Sequence, residues 1–201
     1  MTENTQKTIY LKDYTPPPYL VDSVDLRVEL DPASTLVRSR LAMRPNPAFT
    51  GSRQCILDGE HLELVGVKLD REPLSADQYR FDQGKLHIFQ VPDEPFILEL
   101  ETRINPAANT ALEGLYLSRG NYCTQCEAEG FRRITCFPDR PDVMAVYTTT
   151  VVAEKGPARR WCCSPTATWW SRASWKTDAG LPPGTIPFPS PVTFLPWWPA
   201  A

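Results

Sequence analysis

The chain has 201 residues, of which 42% are hydrophobic and 22% charged, and its formal net charge is -3. This composition is typical of a soluble globular protein, and the slight negative charge argues against a nucleic-acid partner. No apolar run approaches the roughly 20 residues that span a bilayer. The N-terminal segment MTENTQKTIYLKDY also lacks an apolar signal sequence. We therefore expect a monomeric, cytoplasmic protein that does not bind a membrane.

Short segments in which apolar and polar residues alternate fill the region 19–153, and a period of two residues is typical of half-buried strands. The predicted strands are 24–30, 37–43, 55–57, 62–69, 79–81, 86–89, 96–100 and 146–152. Turn sequences separate them, including Asp-Pro-Ala-Ser at 31–34 and Asp-Gln-Gly at 82–84, which favours a hairpin. No segment has a convincing helical period. The pattern predicts an all-β fold, an antiparallel sandwich or saddle.

The segment 105–147 has a different character, because chemically special residues are crowded into it. Glu127 and Glu129 lie in a turn-rich stretch, and Phe131, Cys136 and the Arg140-Pro141 turn follow closely. Loops with such residues often carry function, because packing alone does not require them. A loop carboxylate could bind an ammonium group by charge-assisted hydrogen bonds. The ordinary alternative is a solvated surface acid.

Three stretches of this segment, NPAANTALEGLY, CTQCEAEGFR and DRPDV, resemble the N-terminal domain of the aminopeptidase N family of zinc aminopeptidases. The resemblance covers about residues 10–155 and departs slightly at Phe137-Pro138, which follow Cys136 instead of preceding a cysteine. It implies a saddle-like β-domain that caps the substrate cleft of an enzyme removing N-terminal residues from peptides. The parent enzyme would use zinc, and its partner would be a peptide N-terminus.

The resemblance also implies roles for individual residues. Glu127 would hold the substrate's α-ammonium group, and Gln125 would line the first subsite beside it. Glu129 would hold the loop through a backbone or arginine contact. Residues 139–142 would form a structural turn before the last strand. Residues 109–114 would either lead into the loop or form an ordinary polar connection.

Several residues that peptide hydrolysis would need are missing from the sequence. There is no His-Glu-x-x-His motif for zinc and no Gly-x-Met-Glu-Asn segment, and His61 and His87 are the only histidines. We therefore assign no catalytic and no metal-binding residue, and we predict that the chain alone is inactive. One alternative is a self-standing β-sandwich that binds a peptide or protein. Another is a thiol-based metal or redox module at Cys123 and Cys126, although tetrahedral zinc needs two further ligands.

The sequence changes character from about Gly156. All six tryptophans and nine of the 21 prolines lie beyond that point, without a period of two or 3.6 residues. WCCSPTATWW can be written in codons that, when translated from the third base onward, encode VLLSNGNLV. The same operation on TIPFPSPVTFLPWWPA can give DPFPKPSYLFALVAG. Both products resemble segments that follow this domain in the family. We therefore predict a β-domain at 1–155 and a frame-shifted, non-native or disordered tail at 156–201.

Overall fold

The computed structural model describes residues 14–153 and the backbone of three short strands beyond them, at 161–162, 171–175 and 185–186. Within the described residues, two 3-10 turns, Pro106–Ala108 and Phe131–Arg133, lie between the strands. In chain order the strands are β1 (Tyr19–Leu30), β2 (Thr35–Pro45), β3 (Cys55–Asp58), β4 (Glu63–Leu69), β5 (Glu72–Pro73), β6 (Tyr79–Asp82), β7 (Lys85–Ile88), β8 (Phe96–Ile104), β9 (Gly114–Ser118), β10 (Asn121–Gln125), β11 (Val146–Ala153), β12 (Trp161–Cys162), β13 (Ser171–Trp175) and β14 (Thr185–Ile186).

The strands form one large and two small sheets. The large sheet has the order β14-β13-β11-β1-β2-β8-β4-β5, and the small sheets have the orders β3-β7-β6 and β12-β10-β9. Residues of all three sheets join in one hydrophobic core, in which Val24, Leu41, Leu57, Leu86 and Leu98 are fully buried. The all-β sandwich or saddle that the alternation predicts is therefore present.

The other face of the large sheet carries several ion pairs between neighbouring strands. Arg40 lies 3.4 Å from Asp25, and Arg38 lies 3.0 Å from Glu101 and 2.6 Å from Glu29. Such cross-strand pairs suit a solvated sheet face.

One strand pair departs from the antiparallel prediction. β11 runs parallel to β1, from the pair Ser23 and Val146 to the pair Leu30 and Ala153, whereas the other pairs within 14–153 are antiparallel. A hairpin forces its two strands to be antiparallel, but almost the whole domain separates β1 from β11. Only the packing of the intervening chain sets the direction of β11.

Every predicted strand is present, with bounds that differ by a few residues. The predicted hairpin joins β6 to β7 through Gln83 and Gly84, whose φ values of 48° and 73° fit a type I′ turn. The β9–β10 hairpin and the short β5 were not predicted.

The predicted tail at 156–201 mostly lies outside the described residues, apart from the backbones of β12, β13 and β14. The strand β13 pairs in parallel with β11, and β12 pairs in parallel with β10. The frame-shift and domain boundary stay predictions. Among the described residues, no helix is long and apolar enough to cross a membrane.

Candidate functional site

The candidate site is the loop that leaves β10 after Gln125 and enters the 3-10 turn at Phe131. It closes on itself, because the Gly130 amide donates a hydrogen bond to the Cys126 carbonyl over 2.9 Å. A Cβ atom on Gly130 would lie 2.5 Å from the Gln125 carbonyl oxygen, and one on Gly114 would lie 2.7 Å from the Cβ of Arg133. The two glycines therefore let the loop pack tightly against the start of β9.

Glu127 and Gln125, the two predicted substrate-binding residues, are both exposed. Gln125 is the last residue of β10, and Glu127 follows two residues later in the loop. The Gln125 side-chain amide donates to the Glu127 carbonyl oxygen over 3.3 Å. Among the described residues, no side chain pairs with the Glu127 carboxylate. The peptide bond between Glu127 and Ala128 is cis. The loop thus presents one uncompensated carboxylate, beside an amide whose oxygen is also available.

Glu129 makes the arginine contact that the sequence predicts for it. Its Oε2 lies 3.3 Å from Nη1 of Arg132, while the carboxylate itself stays largely exposed. Arg132 also pairs with Glu60 over 3.6 Å and with Asp139 over 3.1 Å. The two neighbouring loop acids therefore differ, because Glu129 is paired and Glu127 has no partner among the residues that the structure describes.

Asp139 lies beneath the loop, and only 3% of its surface is exposed. It accepts hydrogen bonds from the backbone amide and Nε of Arg132, both over 3.1 Å, and its carbonyl accepts one from Nη2 over 3.0 Å. Burial raises the pKa of the Asp139 carboxyl, and the hydrogen bonds from Arg132 oppose that shift. Arg132 thus compensates a charge that would otherwise be costly to bury.

The turn at 139–142 has the structural role that the sequence predicts. Arg140 Nη2 donates to Asp142 over 2.7 Å and to the Thr15 carbonyl over 2.8 Å. The Tyr14 hydroxyl also donates to Asp142 over 3.0 Å. The turn therefore ties the chain before β1 to the segment that precedes β11.

The thiol alternative concerns Cys126, a loop residue whose side chain is partly buried against the core. Burial, with a further contribution from the Asp139 charge, raises the pKa of Cys126 to about 12. Metal binding and redox exchange use the thiolate, which this environment disfavours. Within the described part of the chain, no three His, Cys, Asp or Glu side chains lie close enough together to hold a metal ion.

Sequence reasoning missed the charge network around the loop. Glu60, two residues after β3, pairs with both Arg132 and Arg133, and its carboxylate lies 3.7 Å from Nη2 of Arg133. Arg133 Nε lies 3.1 Å from Glu113, an ion pair without hydrogen-bond alignment. The adjacent Arg132 and Arg133 were the available sequence signal for this network. Their acidic partners could not be identified, because most of them are distant in the chain.

No family model matches the chain. Two curated relatives are named aminopeptidase N. The protein of Caulobacter vibrioides is 42% identical over 156 residues, which cover 77% of this chain and 18% of the relative. The protein of Escherichia coli is 44% identical over 156 residues, which cover 77% of this chain and 17% of the relative. The chain therefore spans about 17–18% of the length of these relatives.

Solved structures of aminopeptidases and metallopeptidases are similar to this chain as well. Aminopeptidase A of Legionella pneumophila, in complex with aspartic acid, has a TM-score of 0.65 and 34% identity, covering 71% of this chain and 17% of its own. An M1 zinc metallopeptidase of Deinococcus radiodurans, bound to a Tyr-Ser-Ala substrate, has a TM-score of 0.57, covering 69% and 33%. At 16% identity, the second likeness concerns the fold alone. These comparisons confirm the predicted resemblance: the chain is related to aminopeptidase N and has the β-fold of the N-terminal domain of that enzyme.

Proposed function

We propose that this chain is the substrate-cleft-capping domain of a zinc aminopeptidase that removes N-terminal amino acids from peptides. Its relatives named aminopeptidase N support this class of substrate, as does the neighbour bound to a Tyr-Ser-Ala peptide. The observation that carries the proposal is the exposed Glu127 carboxylate, which has no ion-pair partner within the described part of the chain, whereas Glu129 on the same loop has an arginine partner.

Glu127 would bind the substrate's α-ammonium group directly. An ammonium donates up to three hydrogen bonds and accepts none, so a free carboxylate is a fitting acceptor and the bond is charge-assisted. Gln125 uses its amide nitrogen on the Glu127 carbonyl, which leaves its side-chain oxygen to accept a second ammonium hydrogen. Two converging acceptors would select a free amine over a blocked one.

Zinc would belong to the rest of the parent enzyme. The residues described here do not fit a zinc site, because no ligand cluster exists among them and the sequence has no His-Glu-x-x-His motif. When bound in such an enzyme, zinc supplies an activated water for peptide hydrolysis. The contribution of this domain would be to bind and orient the peptide N-terminus, and the chain alone would not catalyse.

We also propose a cytoplasmic, monomeric parent. The thiols of Cys55 and Cys136 are unpaired and buried in the core. Unpaired core cysteines suit a reducing compartment, whereas secreted domains commonly use theirs in disulfides.

The test is a chimaeric enzyme in which residues 14–153 replace the matching segment of Escherichia coli aminopeptidase N. Removing one partner of a desolvated charge pair costs about 2–5 kcal/mol. Glu127→Gln should therefore lower kcat/KM on an aminoacyl chromogenic substrate about 30-fold or more. The loss lies mainly in KM if the pair forms equally in ground and transition states. Zinc content should not change.

A matched control is Glu72→Gln, which neutralises an exposed acid on β5, at the far edge of the large sheet. This variant should keep the kcat/KM of the unmodified chimaera. If Glu127→Gln also keeps it, the ammonium is bound elsewhere and the assignment of Glu127 is wrong.

A further inference from the structure

Arg132 connects the Glu127 loop to the interior of the domain. We infer that it is a positioning residue, which fixes the loop so that Glu127 is held in one place and Glu129 is kept from the substrate. This inference rests on the proposed function, because it assigns Arg132 a role through the amine-binding carboxylate.

The inner contacts of Arg132 form a rigid anchor. Its backbone amide and Nε both donate to one carboxylate oxygen of Asp139, and its Nη2 donates to the Asp139 carbonyl. The arginine side chain is only 13% exposed, and the Asp139 side chain 2%. A planar guanidinium with several fixed donors can satisfy such an arrangement, whereas a lysine ammonium cannot reach the same acceptors together.

The outer contacts of Arg132 lead from this anchor to the loop. Nη1 lies 3.3 Å from Glu129 on the loop and 3.6 Å from Glu60, which follows β3 by two residues. The Arg132 carbonyl also accepts a hydrogen bond from the Glu60 amide over 2.9 Å. One side chain therefore joins the loop, the segment after β3 and the buried segment at Asp139.

Glu127 lies between two fixed points of this arrangement. On one side, the Cys126 carbonyl accepts the hydrogen bond from Gly130, and on the other Glu129 is paired with Arg132. A short loop held at both sides leaves its middle residue little freedom. A displacement of about 1 Å at a binding group can cost on the order of 100-fold in rate, so the anchor bears directly on amine binding.

The ion pairs with arginine also determine which carboxylate is left to bind the substrate's ammonium group. Glu60, Glu113, Glu129 and Asp139 each face an arginine, and Glu127 is the acid of this group without one among the described residues. If Arg132 released Glu129, a second carboxylate would compete for the ammonium in the wrong position.

The first experiment uses the full 201-residue chain and measures amide hydrogen exchange in an Arg132→Lys variant. The Gly130 amide, which closes the loop, should exchange about tenfold faster, while the amides of β8 in the centre of the large sheet should keep their rates. Unchanged Gly130 exchange, or an equal acceleration at β8, would overturn the inference, because the effect would then be absent or global. Arg80→Lys, at an exposed arginine of β6, is the control.

The second experiment is a double-mutant cycle in the chimaeric enzyme. Arg132→Lys should lower kcat/KM about tenfold alone but less than about twofold in the Glu127→Gln background, because the residue acts through Glu127. A purely structural role would give the same factor in both backgrounds, and that result would overturn the inference. If Glu127→Gln itself has no effect, the proposed function fails and the inference with it.

A variant with a milder effect keeps the test decisive if Arg132→Lys does not fold. Glu129→Gln removes only the outer contact, at a side chain that is 68% exposed. It should lower kcat/KM about threefold alone and leave it unchanged in the Glu127→Gln background. No loss in the unmodified chimaera, or equal losses in both backgrounds, would overturn the inference.

Discussion

Gly130→Ala should destabilise the chain through contacts that the loop cannot relieve. Gly130 has φ of -90° and ψ of -14°, which any residue adopts, so backbone strain is not the reason. The added Cβ would instead lie 2.5 Å from the Gln125 oxygen, 3.0 Å from the Cys126 Cα and 3.1 Å from the Gly114 nitrogen. All three are backbone atoms and cannot rotate away. The loop would have to separate from β9.

The expected loss of stability in Gly130→Ala follows from these distances. Forcing a methyl group into a closely packed site costs about 1–3 kcal/mol, and contacts with three backbone atoms place this site near the upper end. For a chain of this length, 1 kcal/mol corresponds to about 2–4 °C in Tm. The Tm of Gly130→Ala should therefore fall by about 5–10 °C in a thermal melt followed by far-UV circular dichroism.

Two other glycines serve as comparison sites, because an added Cβ meets no close neighbour at either of them. Gly120 meets nothing within 4 Å but has φ of +81°, so Gly120→Ala should cost only about 1 kcal/mol of left-handed strain. Gly66 also meets nothing within 4 Å and lies in β4, so Gly66→Ala should be neutral or stabilising by about 0.5–1 kcal/mol. If Gly130→Ala melts at or above the Tm of Gly120→Ala, the close packing of the loop is wrong.

Burial raises the pKa of both Cys55 and Cys136 from 9.0 to about 12, so the native chain at pH 8 should resist iodoacetamide at these two thiols until urea unfolds it. Because the folded pKa values are the higher ones, the stability they contribute is complete below pH 9 and is lost towards pH 12. Peptide mass spectrometry and urea midpoints across that range test this, and rapid alkylation in the native state would contradict it. Tyr147→Phe should leave stability unchanged or raise it by about 1 kcal/mol, because the Tyr147 hydroxyl is buried without a hydrogen-bond partner among the described residues. Its ring contact with Phe131 is retained, and a lower urea midpoint would reveal a partner for the hydroxyl.

Most of the strands could be predicted because one face of each meets the core. In β2, Val37 and Leu41 are fully buried while Arg38 and Arg40 point to the polar face, and this contrast is readable in the sequence. The β9–β10 hairpin was missed because its residues lack that contrast. Most of them are partly covered, and only Gly114, Leu115 and Tyr122 are buried.

Only part of the candidate site could be predicted from the sequence. A motif indicates Glu127 and Gln125, and the structure places both at the surface, Gln125 at the end of β10 and Glu127 in the loop after it. The motif gave no reason for the difference between Glu127 and Glu129. That difference depends on Arg132 being held by Asp139, which local sequence does not show.

The sequence by itself determined the all-β class and the positions of most strands, because alternation and turn chemistry act over a few residues. Its resemblance to a known family indicated the loop that carries the candidate carboxylate. Tertiary structure decided the parallel pairing of β11 with β1 and the joining of Glu60, Arg132 and Asp139 beneath the loop. The direction of β11 is not fixed by any short turn, and ion pairs between distant segments form only after the sheets have packed. The contrast between the paired Glu129 and Glu127, which has no partner in the described ranges, is therefore a property of the folded domain.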